Sequence, residues 1–205
     1  MLHIYCLWLP VEQTFENVEK SLLRCMKATN MLGAEICAVH PKGIYGNDGV
    51  KKSFEYNYKQ FYPLVGEISK GGGNLGIENL PWDQYCRDTK DHIELVDAFK
   101  TENVCAVWDF GHSQLVDYDK AQAIRKLGKR IKGTHVHGNW GTHGLDLHLP
   151  PLISNNDWDS VIGALREQDY QGYLTLEVDT DPQKAMGAYM RYLYESVSFL
   201  WEKIK

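Results

Sequence analysis

A chain of 205 residues, 43% hydrophobic and 24% charged, is long enough for one domain with a sizeable core and ordinary in composition for a soluble globular protein. Its net charge of -5 argues against a strongly basic nucleic-acid-binding surface, and no apolar run approaches the ~20 residues of a membrane span. The N-terminus lacks a basic segment followed by a long apolar core, so no secretory signal is expected. The five cysteines form no C-x-x-C pair; Cys6, Cys37 and Cys105 sit inside apolar runs, as buried free thiols of a reducing, cytoplasmic compartment would.

Short apolar runs alternate with longer amphipathic ones. LHIYCLW (2–8) comes first, followed by a helical pattern over 14–32. In that pattern Val18, Leu22, Leu23, Met26 and Leu32 share a face and Gly33 supplies the stop. AEICAVH (34–40) precedes an aromatic-rich helical stretch, 51–69, that ends at a glycine triplet. NLGIEN (74–79) precedes 89–100, and VCAVWDF (104–110) precedes 118–128. IKGTHVH (131–137) precedes 157–168, and YLTLEV (173–178) precedes a terminal helix over about 182–203. The near-continuous apolar character of the short runs suits strands covered on both faces, and six βα repeats predict a parallel α/β fold in a single domain.

Chemistry gathers at the strand ends. His40, Glu78, Asp109 with His112, His135 with His137, and Glu177 all fall at or just past the C-terminal ends of these runs, and His3 lies inside the first. Function at the end of nearly every strand is the habit of a (β/α) barrel, whose strand ends converge on one mouth. The stretch THVHGNWGTHGLDLH (134–148) concentrates this: it holds four of the eight histidines together with Asp146. It is either a polar surface loop or part of a metal site whose other ligands come from elsewhere in the chain.

AVHPKG (38–43), LGIENLP (75–81), VWDFGH (107–112), GTHVHGN (133–139), LDLHLPPL (145–152) and GYLTLEV (172–178) together resemble the xylose isomerase-like TIM barrel superfamily, in that family's order and over nearly the whole chain. The superfamily includes sugar isomerases and epimerases and metal-dependent apurinic endonucleases. The resemblance implies metal ligands at Glu78, Asp109, His135 and Glu177, for Mn, Mg, Co or Zn. It implies a substrate contact at His112. By strand alternation His137 is either a further substrate contact or a loop residue, and Trp108 is either a core residue or a ring that stacks on a sugar. Glu78 and Glu177 would be the catalytic pair, one removing and the other returning a proton through an enediolate. His3, His40, Asp146 and His148 resemble the additional ligands with which the endonuclease branch holds more than one zinc ion. His92 and His143 are expected at the surface.

The resemblance favours a metal-dependent isomerase or epimerase acting on a small sugar or polyol. The alternatives are a zinc-dependent endonuclease-like phosphodiesterase, which the acidic balance and the scarcity of basic clusters weigh against, and a non-catalytic shortened barrel. Family barrels place two more βα units ahead of the strand that LHIYCLW resembles, and they carry a glycine-rich turn where this chain has LPPLISNND (149–157). A sheet short of two units leaves an edge between the first and last runs. The expected seal is a second copy of the chain, with Tyr189, Tyr192, Tyr194, Phe199 and Trp201 of the terminal helix at the contact.

Overall fold

The helix over Phe15–Leu32 (α1) shows how closely local chemistry sets the elements. Thr14 accepts the Asn17 N–H on its hydroxyl at 3.2 Å, and Gly33 closes the helix in the left-handed region at φ 64°. The computed structural model describes residues 1–3, 14–179 and 186–205, without the side chains of Leu2 and His3. The rest of the first apolar run, with Cys6 and Trp8, and the start of the expected terminal helix lie outside the described residues. The chain divides into two units, Met1–Val107 and Trp108–Lys205.

In the first unit β1 (Leu2–His3), β2 (Ile36–Val39), β3 (Asn74–Glu78) and the start of β4 (Val104–Asp109) pair in parallel in chain order. All four residues of β2 and all six of β4 are buried, which is what strands covered on both faces require. Ile36, Ala38, Cys105 and Val107 form one inward cluster, and β3 contributes Gly76 between them. A Cβ at Gly76 would lie 2.5 Å from Val107 Cγ2 and 2.8 Å from Ile36 Cγ2, so the neighbouring branched side chains fill the place of a side chain there. The helix α2 (Gly49–Ile68) clamps the loop after β2: Asn57 bonds both the N–H and the C=O of Lys42, and Ser53 accepts the Ile44 N–H at 2.7 Å.

The helix α3 (Thr89–Ala98) overturns one expectation. His92 is not a surface residue; it is fully buried, and its Nε2 donates to the Ile77 carbonyl of β3 at 2.8 Å. Burial pushes its pKa down to about 4, against smaller opposing effects of that hydrogen bond and of Glu78. The sequence pattern misleads because a histidine bonded to a strand carbonyl occupies a position where periodicity registers only a polar residue.

In the second unit a short helix, α4 (Phe110–Gln114), follows β4 directly. Then come α5 (Lys120–Leu127), β5 (Ile131–Val136), α6 (Trp158–Glu167), β6 (Leu174–Leu176) and α7 (Met186–Ile204). Strands β5 and β6 pair in parallel, with His135 opposite Thr175, and the Glu177 N–H continues the ladder to the Val136 carbonyl at 3.2 Å. Asp109, Asp119 and Asp157 cap α4, α5 and α6. Helices α5 and α6 pack together and are tied by the two-point Arg125–Glu167 ion pair, 2.6 and 3.1 Å.

Candidate metal centre

Three ligand-type side chains of the second unit meet at the strand ends. Asp109 is the last residue of β4, His135 lies one residue before the end of β5, and Glu177 follows β6. Each offers a ligand atom within 4.8 Å of the others. His135 Nδ1 is 3.3 Å from Glu177 Oε2 and 3.7 Å from Asp109 Oδ2. Two atoms that share an ion at ~2.1 Å lie ~3.0–3.4 Å apart when the angle between them is tetrahedral or octahedral, so this spacing is close to that of a ligand set. Asp109 is fully buried and His135 is 2% exposed. Burying ionised carboxylates beside one imidazole is costly without a compensating cation. The donor set, two carboxylates and one imidazole, suits Mn, Mg, Co or Zn.

A second group stands beside the first. His112, His137, Asp146 and His148 also offer ligand atoms within 4.8 Å of one another. His112 Nε2 and His148 Nε2 point at the same oxygen, Asp146 Oδ2, at 3.1 and 3.2 Å. The Nδ1–H of His148 donates to the Glu177 carbonyl at 2.9 Å, which joins the loop carrying Asp146 to the residue after β6. Burial alone would lower the His148 pKa, but Asp146 and the Glu177 carbonyl outweigh it and raise it to about 9. Burial likewise opposes ionisation of Asp146, yet hydrogen bonds from His112, His148 and Asn139 hold its carboxyl well below the usual range.

Asn139, which the sequence reading did not single out, organises this group. It is fully buried; its amide nitrogen donates to the Gly111 carbonyl at 3.0 Å and to Asp146 Oδ1 at 2.9 Å, while its oxygen accepts the Leu147 N–H at 2.6 Å. The signal available was an amide inside HGNWG, a glycine-rich turn whose backbone groups need partners. The Gly138–Leu149 bridge folds the loop back, bringing Asp146 and His148 under the end of β5.

Two further candidate substrate contacts are buried. Trp108 is 1% exposed, and strand alternation turns it to the face opposite Asp109, into the core. His137 is fully buried, with Nε2 3.0 and 3.1 Å from the two oxygens of Asp109. His112 is 5% exposed, and His143 sits in an exposed loop as expected. In the first unit Glu78 ends β3 fully buried, with His40 Nε2 3.2 Å from its Oε2. His3 lies in β1, its side chain outside the described residues.

Several solved structures share the fold. A D-tagatose 3-epimerase-like protein is 23% identical, with a TM-score of 0.73, 93% of this chain covered and 73% of that one. The 3-keto-D-glucoside 4-epimerase YcjR of E. coli is 16% identical, with a TM-score of 0.75 and coverage of 93% and 74%. A D-psicose 3-epimerase of Clostridium cellulolyticum H10 is 14% identical, with a TM-score of 0.71 and coverage of 95% and 71%. The shared fold is α/β and TIM-barrel-like. Among curated proteins, the uncharacterized protein y4fM of Sinorhizobium fredii is 25% identical over 128 residues; the match takes in 62% of this chain and spans 40% of that relative's length. No helix among the described residues is long and apolar enough to cross a membrane. Residues 3–196, nearly the whole chain, match the family described as xylose isomerase-like TIM barrel, and the chain belongs to it.

Proposed function

We propose that this protein is a metal-dependent isomerase or epimerase that moves a proton at a carbon beside the carbonyl of a small sugar or polyol. The observation that carries the reading is the convergence of Asp109, His135 and Glu177 at the strand ends, the first two of them buried. The proteins named above as tagatose, psicose and 3-keto-glucoside epimerases support the substrate class. Asp109, His135 and Glu177 would hold the ion, with Glu78, at the end of β3, as the fourth ligand. A bound divalent ion would supply Lewis-acid polarisation of the substrate carbonyl.

The chain's own residues do the rest. The Glu177 side chain is 16% exposed while Asp109 is sealed, so among these three Glu177 is the carboxylate best placed to reach a substrate carbon and take its proton. Glu78 is proposed as the partner that returns a proton on the opposite side, which inverts the centre. His112 is retained as the substrate-side histidine. The burial of Asp109 and His135 keeps water from competing for the same positions.

His112, Asp146 and His148 favour a second reading, in which an additional ion is held there with His40 and His3 as further ligands and the substrate is a phosphodiester. The charge of -5 weighs against a nucleic-acid backbone as that substrate. Met190, Tyr194 and Phe199 of α7 are at least half exposed, which supports self-association in a cytoplasmic enzyme; light scattering at micromolar concentration should show a dimer or larger species.

The test is reconstitution. Chelator-stripped protein should be inert, and protein reloaded with Mn, Co, Mg or Zn should convert at least one ketose in a sugar panel, with solvent deuterium appearing at one carbon. Cleavage of abasic DNA without any sugar turnover would establish the second reading instead.

A further inference from the structure

The H-x-H triplet at the end of β5 divides its labour. His135 and His137 are two residues apart on an extended strand end and face the same side. Both reach Asp109, but in different ways. His135 Nδ1 lies 3.7 Å from Asp109 Oδ2, beyond hydrogen-bond distance. His137 Nε2 sits at hydrogen-bond distance from both carboxylate oxygens, 3.0 and 3.1 Å.

The surroundings hold the His137 ring in that pose. It stacks on His148 at 3.9 Å between centroids and 4° between planes, and His112 meets it edge-on at 5.6 Å. It also occupies the space over the Cα of Gly111, where an added Cβ would collide with the imidazole Cε1, Nδ1 and Nε2. The Asn139 amide fixes that glycine through its carbonyl. His137 Nδ1 is buried, with no hydrogen-bond partner among the described residues. The remaining ring nitrogen, Nε2, therefore carries the proton and donates it to an acceptor-only carboxylate.

Resting on the metal-site reading above, we infer that His137 is the positioning residue for Asp109: it orients the carboxylate for the ion and touches neither ion nor substrate. A hydrogen bond from behind fixes which lone pairs a ligating carboxylate presents, and losing such a partner typically costs about 10–100-fold in metal affinity.

The experiment titrates Co(II) into the apo full-length protein, following its visible absorption and counting equivalents bound, with circular dichroism and thermal melting of each variant alongside. His137→Ala should weaken Co(II) binding about 10–100-fold at unchanged stoichiometry and alter the absorption bands. His137→Gln, whose amide can donate to the same carboxylate, should recover most of that loss. Should the alanine variant fail to fold, Gly111→Ala decides the matter, because its Cβ displaces the ring while His137 and the other candidate ligands keep their chemical identity; the same weakening is expected. Wild-type Co(II) affinity in the folded alanine variant, or in Gly111→Ala if that variant must decide, overturns the inference. So does loss of one whole equivalent, which would make His137 a ligand, or a raised KM with unchanged Co(II) affinity, which would make it a substrate contact. A wild-type protein that binds no Co(II) fails at the earlier step and removes the metal-site reading itself.

Discussion

In the first unit His92 is sealed against a peptide carbonyl, while in the second His148 stands between a carboxylate and a peptide carbonyl. Both imidazoles lose water, and loss of water lowers the pKa of each. The partners decide the outcome: the Ile77 carbonyl leaves His92 at about 4, whereas Asp146 together with the Glu177 carbonyl lifts His148 to about 9. A neutral histidine bonded to backbone is a structural strut. A histidine set among carboxylates belongs to a charge cluster that can take part in chemistry. Residue type alone does not separate the two.

The largest effect expected from breaking this contrast falls on the carboxylate side. Glu177→Gln keeps the shape and the ladder bond to β5 but removes the proton acceptor. Turnover of whichever sugar the wild type converts should fall about 10²–10⁴-fold, with a melting temperature close to wild type. Steady-state rates together with a thermal melt check this. A matching collapse in stability would mean that Glu177 holds the fold rather than the reaction.

On the backbone side the readout is stability against pH. In the unfolded chain the His92 imidazole takes its proton near 6.5, and in the fold near 4. Between those values the unfolded chain binds more protons, so this contribution is fully present above about 6.5 and is lost as the pH falls toward 4. At ~1.36 kcal/mol per pH unit the loss is on the order of 3 kcal/mol. His92→Gln can donate to the same carbonyl without titrating, so its denaturant midpoint should slope less across that window. An identical slope in the two proteins would assign the acid sensitivity to other groups.

The sequence makes parts of this architecture legible and hides others for physical reasons. The alternation of apolar runs with 3.6-period stretches predicts the parallel strands, and the ligand-type residues at the ends of β3, β4 and β5 stand out because acids and histidines are conspicuous after buried segments. The pairing of His135 with Glu177 and Asp109 is a tertiary fact, and the family resemblance indicated it where spacing could not. His92 is not legible as a buried residue, because one polar residue on a helix gives no sign that its partner is a strand carbonyl fifteen residues earlier. Strand alternation from Asp109 turns Trp108 to the opposite face, so its place in the core is legible from the sequence. Asn139 is illegible because a buried amide that satisfies loop backbone leaves no periodic trace.

The smallest predicted effect separates a carboxylate that only caps from one that caps and belongs to the candidate metal centre. Asp157 and Asp109 play the same local part: Asp157 Oδ1 accepts the Ser160 N–H at 3.1 Å at the start of α6, and Asp109 Oδ1 accepts the His112 N–H at 2.6 Å at the start of α4. Asp157 is exposed and Asp109 is buried. Asp157→Ala should cost about 1 kcal/mol, the usual value of an N-cap, which is roughly 2–4 °C of melting temperature in a chain of this size. Co(II) affinity should not change. Asp109→Asn reverses the pattern, because asparagine caps as well as aspartate but lacks the charge an ion needs. With the cap kept, its apo melting temperature should shift little, while Co(II) binding drops steeply. Calorimetry on the apo proteins paired with Co(II) titration reads both. A drop in metal affinity with Asp157→Ala would show that α6 and the centre are coupled, and that the helix caps cannot be treated as local.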